Sequence, residues 1–154
     1  MAPLASSHTL QRLDGCLTIQ IHGSMQVGPI RALFAELKEM LAGEPGPETI
    51  LFDLSGVERC DIAARQEMVA IQRFIATRGS RTAYLASRPR IRGITLWIVH
   101  VSQDGNARPI VTLDEAKDWL EQEIDRISLV EMRATALTAR AVDNIGTRRS
   151  GGAQ

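Results

Sequence analysis

The chain has 154 residues, 44% of them hydrophobic and 23% charged, which is enough for one ordinary domain and too apolar for a disordered segment. Aromatics make up only 4%, so the core has to be aliphatic, and a formal net charge of zero argues against nucleic acid as a partner. No apolar run approaches the roughly 20 residues of a membrane span, no secretory signal is visible, and two cysteines fit a reducing, cytoplasmic setting better than a disulfide framework.

Residues 1–7 are small and polar, and are expected to be disordered. Thr9–Leu13 and Cys16–His22 then flank Asp14-Gly15, a dipeptide favoured in two-residue hairpin turns. In the second arm Leu17, Ile19 and Ile21 alternate with Thr18, Gln20 and His22, the pattern of a strand with one buried face. From Val27 to Leu41 the apolar residues Ile30, Leu33, Phe34, Leu37 and Leu41 recur at helical spacing, and the Gly- and Pro-rich stretch 43–47 ends that pattern. Thr49–Leu54 is nearly all apolar, as in a central strand covered on both faces, and Ser55-Gly56 predicts a tight turn after it. Asp61 is placed to cap a helix from Ile62 to Thr77 whose apolar face is Ala64, Met68, Ile71 and Ile75, with Gly79 ending it.

Thr82–Ala86 predicts another short strand. Ser87 and Pro89 resemble a helix start, and Ile91–His100 predicts a helix apolar nearly all round, with Trp97 assigned to the core and a self-association patch as the other reading. Asp104-Gly105 marks a turn and Pro109–Val111 a last strand. Thr112 to Glu115 match a capping box, which opens a helix presenting Ala116, Leu120, Ile124 and Ile127 beside Trp119. A hairpin followed by βα repeats requires an α/β domain: a mixed sheet of four to five strands with an N-terminal β-hairpin and about four helices packed against it. The domain is expected over 8–130, and 131–154 as a largely flexible C-terminal extension.

Charge is balanced overall but segregated along the chain. Eight arginines lie between Arg59 and Arg92 against Asp61 and Glu67, whereas seven acids lie between Asp114 and Glu131 against Lys117 and Arg126. Solvated helix faces explain such runs; steering of a partner, or of a second copy into a homo-oligomer, is the sharper reading. Arg88, Arg90 and Arg92 alternate before the Trp97 helix, where a phosphate or lipid headgroup would also be compatible with their charge.

Residues able to run a reaction are not found together. His8, His22 and His100 are isolated, and the sequence contains no zinc-ligand spacing, nucleophile elbow or phosphate-cradling glycine loop, so no metal, no cofactor and no enzymatic activity are expected. Cys60 stands beside Arg59 before a helix start, an environment that lowers a thiol pKa, although a space-filling role is the plainer reading. His22 and His100 lack an evident carboxylate partner, Asp114 and Asp118 read as an exposed face, and Ser55, Ser87 and Thr77 have nothing but a hydroxyl to recommend them as modification sites.

The segment Asp53-Leu54-Ser55-Gly56-Val57, a short gap, then Asp61-Ile62-Ala63-Ala64 resembles the signature of STAS domains, the family of sulfate transporters and anti-sigma-factor antagonists. The late helix with Glu115-Ala116 and Asp118-Trp119-Leu120 is similar to the last helix of bacterial members. The resemblance spans roughly residues 8–125 and implies a STAS-like fold and a non-catalytic regulatory or scaffolding role in signalling. It also implies a protein partner, such as a regulatory kinase-like protein, docked on Arg59, Cys60, Asp61 and Arg65. Signalling members of the family are phosphorylated on a serine at this helix start. Here Ala63 stands in the serine position and has no hydroxyl, so the switch is missing. A carrier or sensor of a small apolar or lipid-like ligand is the alternative.

Overall fold

The computed structural model describes residues 7–44 and 48–121. Strands β1 (Ser7–Leu13) and β2 (Cys16–Met25) form the expected hairpin. Asp14 and Gly15 both take positive φ, 52° and 76°, as a tight turn matched to strand twist requires. Ser7 belongs to β1 and so lies outside the expected disordered terminus; residues 1–6 are outside the described residues. The chain continues through α1 (Val27–Ala42), β3 (Thr49–Cys60), α2 (Ile62–Thr77), β4 (Arg81–Leu85), α3 (Pro89–Ser102) and β5 (Ala107–Ile110). A further helix, α4, begins at 113 and continues to 121, where the description ends. Ile124, Ile127 and the extension 131–154 lie outside the described residues.

The sheet order is β1-β2-β3-β4-β5, with β1 antiparallel to β2 and the other pairs parallel. Each parallel crossover carries one helix and proceeds to the neighbouring strand, so a common right hand puts α1, α2 and α3 on one face. There Ile30, Leu33, Leu37, Met68, Ile71, Ile91 and Ile98 pack onto Leu17, Ile19, Ile50, Phe52 and Tyr84 in one buried cluster. Across the sheet Leu51, Ala83, Leu85 and Ile110 are covered by Ala116, Trp119 and Leu120 of α4. Two covers explain why β3 and β4 read as continuous apolar runs, whereas β2, at the less covered side, alternates. At roughly 1.5–3 kcal/mol for each fully buried large aliphatic side chain, this burial is the main term holding the fold.

Local rules of helix starting hold unevenly. Thr112 accepts the Glu115 N–H at 3.2 Å, half of the expected capping box, and Pro89 occupies the first turn of α3. In β5 the expected Pro109 sits in an edge strand, the usual place for a residue with no N–H to donate.

Two expectations fail. The chain does not turn at Ser55-Gly56: β3 runs on to Cys60, because β2 also runs on, to Met25, and keeps pairing with it. Trp97 is not core but 40% exposed, beside Leu96 at 54%. An all-round apolar helix gives no sign of which side faces water. The sheet takes Ile91, Ile94 and Ile98 and leaves the opposite side open.

Candidate functional site

All parallel strands end at one edge of the sheet, and α1, α2 and α3 start there, the place where open α/β sheets usually meet ligands and partners. β3 pairs with β4 only as far as Asp53, opposite Leu85, so its last seven residues extend beyond the sheet beside β2 alone. Gln20 pairs with Asp53 but His22 with Gly56, and Gly23 with Val57 but Ser24 with Arg59, so β3 carries one extra residue at each step. Such bulges bend and twist a strand and re-aim its side chains. Asp53 supports the first of them: its Oδ1 accepts the Ser55 N–H at 3.0 Å and the Ser55 hydroxyl at 2.6 Å. A Cβ on Gly56 would overlap the His22 ring, so a larger residue here would require that exposed ring to swing aside. The Asp-Ser-Gly sequence that suggests a turn thus makes a bulge.

The extension delivers the chain to the start of α2. The Asp61 N–H donates to Met25 O at 3.0 Å, closing the junction against β2, and the Arg65 N–H returns to Asp61 O at 3.0 Å as the first helical bond. Asp61 occupies the N-cap with extended backbone angles, but its carboxylate makes no cap bond, contrary to expectation. The side chain is exposed, so the first-turn amides are left to solvent instead of to this carboxylate. Ile62, at 71% exposure, is the most exposed large apolar residue described, and Ala63 and Gln66 are exposed with it. Ala64 and Met68 turn into the core. A single helix turn therefore presents a carboxylate, an isoleucine and an alanine outward.

The sequence-predicted residues Arg59, Cys60, Asp61 and Arg65 do come together here, in different roles. Arg59 and Asp61 are exposed. Arg65 is half-buried and donates from Nη2 to Cys60 O at 3.4 Å, bracing the junction from below. Cys60 is half-buried against the core, and burial pushes its thiol up despite the opposing pull of Arg65. The lowering that a neighbouring arginine and a helix start could give does not prevail, because desolvation is the larger effect. Cys16 is raised by burial in the same way.

Elsewhere, Arg88 at the start of α3 donates from Nη1 to Val57 O at 3.4 Å, tying α3 to the β3 extension. His22 and His100 are exposed on separate elements, and no group of three His, Cys, Asp or Glu among the described residues is placed to hold a metal ion. Among those residues no helix is long and apolar enough to cross a membrane.

One polar constellation escaped the sequence reading. Gln72 in α2 is fully buried; its amide donates to Asp104 Oδ2 at 2.7 Å, with Thr82 Oγ1 at 3.4 Å, and its Oε1 accepts the Tyr84 hydroxyl at 2.6 Å. Asp104 Oδ1 accepts the Asn106 N–H at 2.9 Å, and Tyr84 stacks on Phe52 with ring centroids 4.8 Å apart. Burial, with the nearby Asp104 charge adding to it, drives the Tyr84 phenol far above its ordinary range. The network is satisfied internally and closed to solvent, so it braces α2, β4 and the loop before β5. A signal existed: Gln72 follows Met68 by four residues, on the stripe that starts at Ala64.

No protein-family model matches the sequence, and no curated protein matches it. Solved structures do. An anti-sigma factor antagonist from Mycobacterium paratuberculosis superimposes with a TM-score of 0.59 at 20% identity, covering 78% of this chain and 97% of that one. An RsbS variant from Moorella thermoacetica gives 0.61 at 15% identity, covering 77% and 97%. An uncharacterized protein with a SpoIIAA-like fold from Shewanella loihica gives 0.59 at 17% identity, covering 78% and 98%. The fold is thus the STAS-like fold that the Asp53–Ala64 resemblance implied.

Proposed function

We propose that this chain is a regulatory protein-binding module that docks its partner on the start of α2, without a phosphoserine switch. The observation that carries this reading is the exposed turn itself: Asp61 without a cap bond, Ile62 at 71% exposure and Ala63 beside them, on a junction held by Met25, Arg65 and the bulged β3. An exposed apolar residue ringed by charge is what a protein interface uses as an anchor. The fold shared with anti-sigma factor antagonists supports the class of function. A phosphate would otherwise sit at a helix N-terminus and reshape the surface; Ala63 offers no oxygen to carry it. Binding here is accordingly set by partner concentration or by a change in the partner.

The experiment is affinity capture from the native cell with wild-type chain, followed by binding measurements on the captured protein. Asp61→Lys combined with Ile62→Asp should weaken that binding at least about a hundredfold, the scale of losing an anchor and reversing a rim charge. Circular dichroism should stay unchanged, because neither side chain is internal. Full retention of binding by the double variant overturns the reading.

A further inference from the structure

Two exposed charge clusters of opposite sign face away from each other across the sheet. On α3, Arg88, Arg90 and Arg92 are exposed in the first turn, with no acid there and no side-chain cap. Cations at a helix N-terminus oppose the helix dipole, so this placement works against local stability and calls for a negative charge from outside. Among the described residues neither Arg90 nor Arg92 has an ion-pair partner. Leu96 follows Arg92 by four residues on the same outward side, and Trp97 adjoins it; they are 54% and 40% exposed. On α4, Asp114, Glu115 and Asp118 are exposed, also without ion-pair partners among the described residues, and Leu113 beside them is 46% exposed. Three positive charges with two apolar residues lie on one side; three negative charges with the exposed Lys117 among them, net two negative, and one apolar residue lie on the other.

We infer that copies of this chain associate front to back, the outer face of α3 in one seating on the outer face of α4 in the next. The two helices cover opposite faces of the sheet, α3 over the Ile91–Ile98 cluster and α4 over the Leu51–Leu85 cluster. The two patches therefore cannot meet within a chain. A contact between unlike faces is heterologous: it leaves one free patch of each kind at the ends and continues to grow instead of closing at a dimer. Zero net charge removes the long-range repulsion that would hold copies apart.

Sedimentation velocity of the full chain tests this. Average mass should rise continuously with concentration in low salt, and fall to the monomer at about 0.5 M salt, where screening reaches only a few ångströms. Arg90→Glu with Arg92→Glu should be monomeric alone, as should Asp114→Lys with Asp118→Lys. An equimolar mixture of the two should associate again, because each supplies the charge the other has lost. Trp97→Ala should weaken association about tenfold, the scale of one interface residue. Rescue on mixing cannot come from a variant that fails to fold. A wild type that stays monomeric in low salt overturns the inference, as does association that survives either charge reversal, or a mixture that stays monomeric. A monomeric wild type that co-sediments with phosphatidylglycerol vesicles but not with phosphatidylcholine vesicles also overturns it, and gives the arginines to a lipid surface. These variants leave residues 59–65 untouched, so loss of self-association and loss of partner docking are read separately.

Discussion

At its far end α2 is tied into the protein by Gln72, whose amide joins Tyr84, Thr82 and Asp104, and by Arg78, which donates to Leu41 O at 2.9 Å and Glu44 O at 2.8 Å. At its start Asp61, Ile62 and Ala63 lie open to solvent. One helix thus has an anchored end and an offered end. The difference teaches that exposure at the start is not looseness: a side chain can be held out for a partner when the rest of its helix is fixed elsewhere. Stability and recognition should accordingly be separable along α2.

Gln72→Leu should break that comparison at its strong end. It strips partners from a buried phenol and a buried carboxylate together, and should cost about 3–5 kcal/mol of unfolding free energy by urea denaturation. Partner affinity measured on the folded fraction should hardly move. A smaller effect comes from pH. The phenol of Tyr84 has a folded pKa above its unfolded value of about 10, so the stability of keeping it neutral is fully present below pH ~10 and is lost as pH rises beyond it. Tyr84 is the chain's one tyrosine, so near-ultraviolet absorbance reads it directly. Tyrosinate should appear together with unfolding, later than in a free tyrosine, and not as an independent titration of the folded protein. Appearance of tyrosinate near pH ~10 with the fold intact would show the network open to solvent. The smallest effect compares two helix starts. Thr112→Ala removes a formed cap bond at α4 and should cost about 1 kcal/mol, whereas Asp61→Ala removes none and should cost under about 0.5 kcal/mol, from the helix dipole alone. Equal losses would mean that Asp61 caps after all.

What the sequence made legible follows the reach of each interaction. The hairpin was readable because Asp14-Gly15 acts through its own backbone angles. The strand-to-helix junction between Asp53 and Arg65 was readable from the apolar strand before it and the helical spacing after it, whereas choosing it as the candidate site rested on the resemblance alone. The extension of β3 was not, because whether Ser55-Gly56 turns or bulges depends on how far β2 continues beside it. For Cys60 the sequence showed the charged neighbour Arg59 but not the size of the desolvation, which comes from the packed core. Trp97 was misplaced because periodicity fails on a helix with apolar residues on every side. Gln72 was passed over as a polar residue in a helix, though its spacing from Met68 put it on the buried stripe.

Among the described residues β1 and β5 each have one unpaired margin, and such a margin is a template on which further strands can deposit. On the β5 side the row is only four residues long, Pro109 brings no amide hydrogen to it, and the Arg108 guanidinium lies 4.4 Å above the Trp119 ring instead of leaving the rim bare. Growth of fibres by strand addition is therefore discouraged at that margin even when the protein is crowded. Among the described residues the β1 margin pairs on one side alone, and there Arg12 is held to Glu48 at 2.8 Å and places a charged pair against any apolar newcomer.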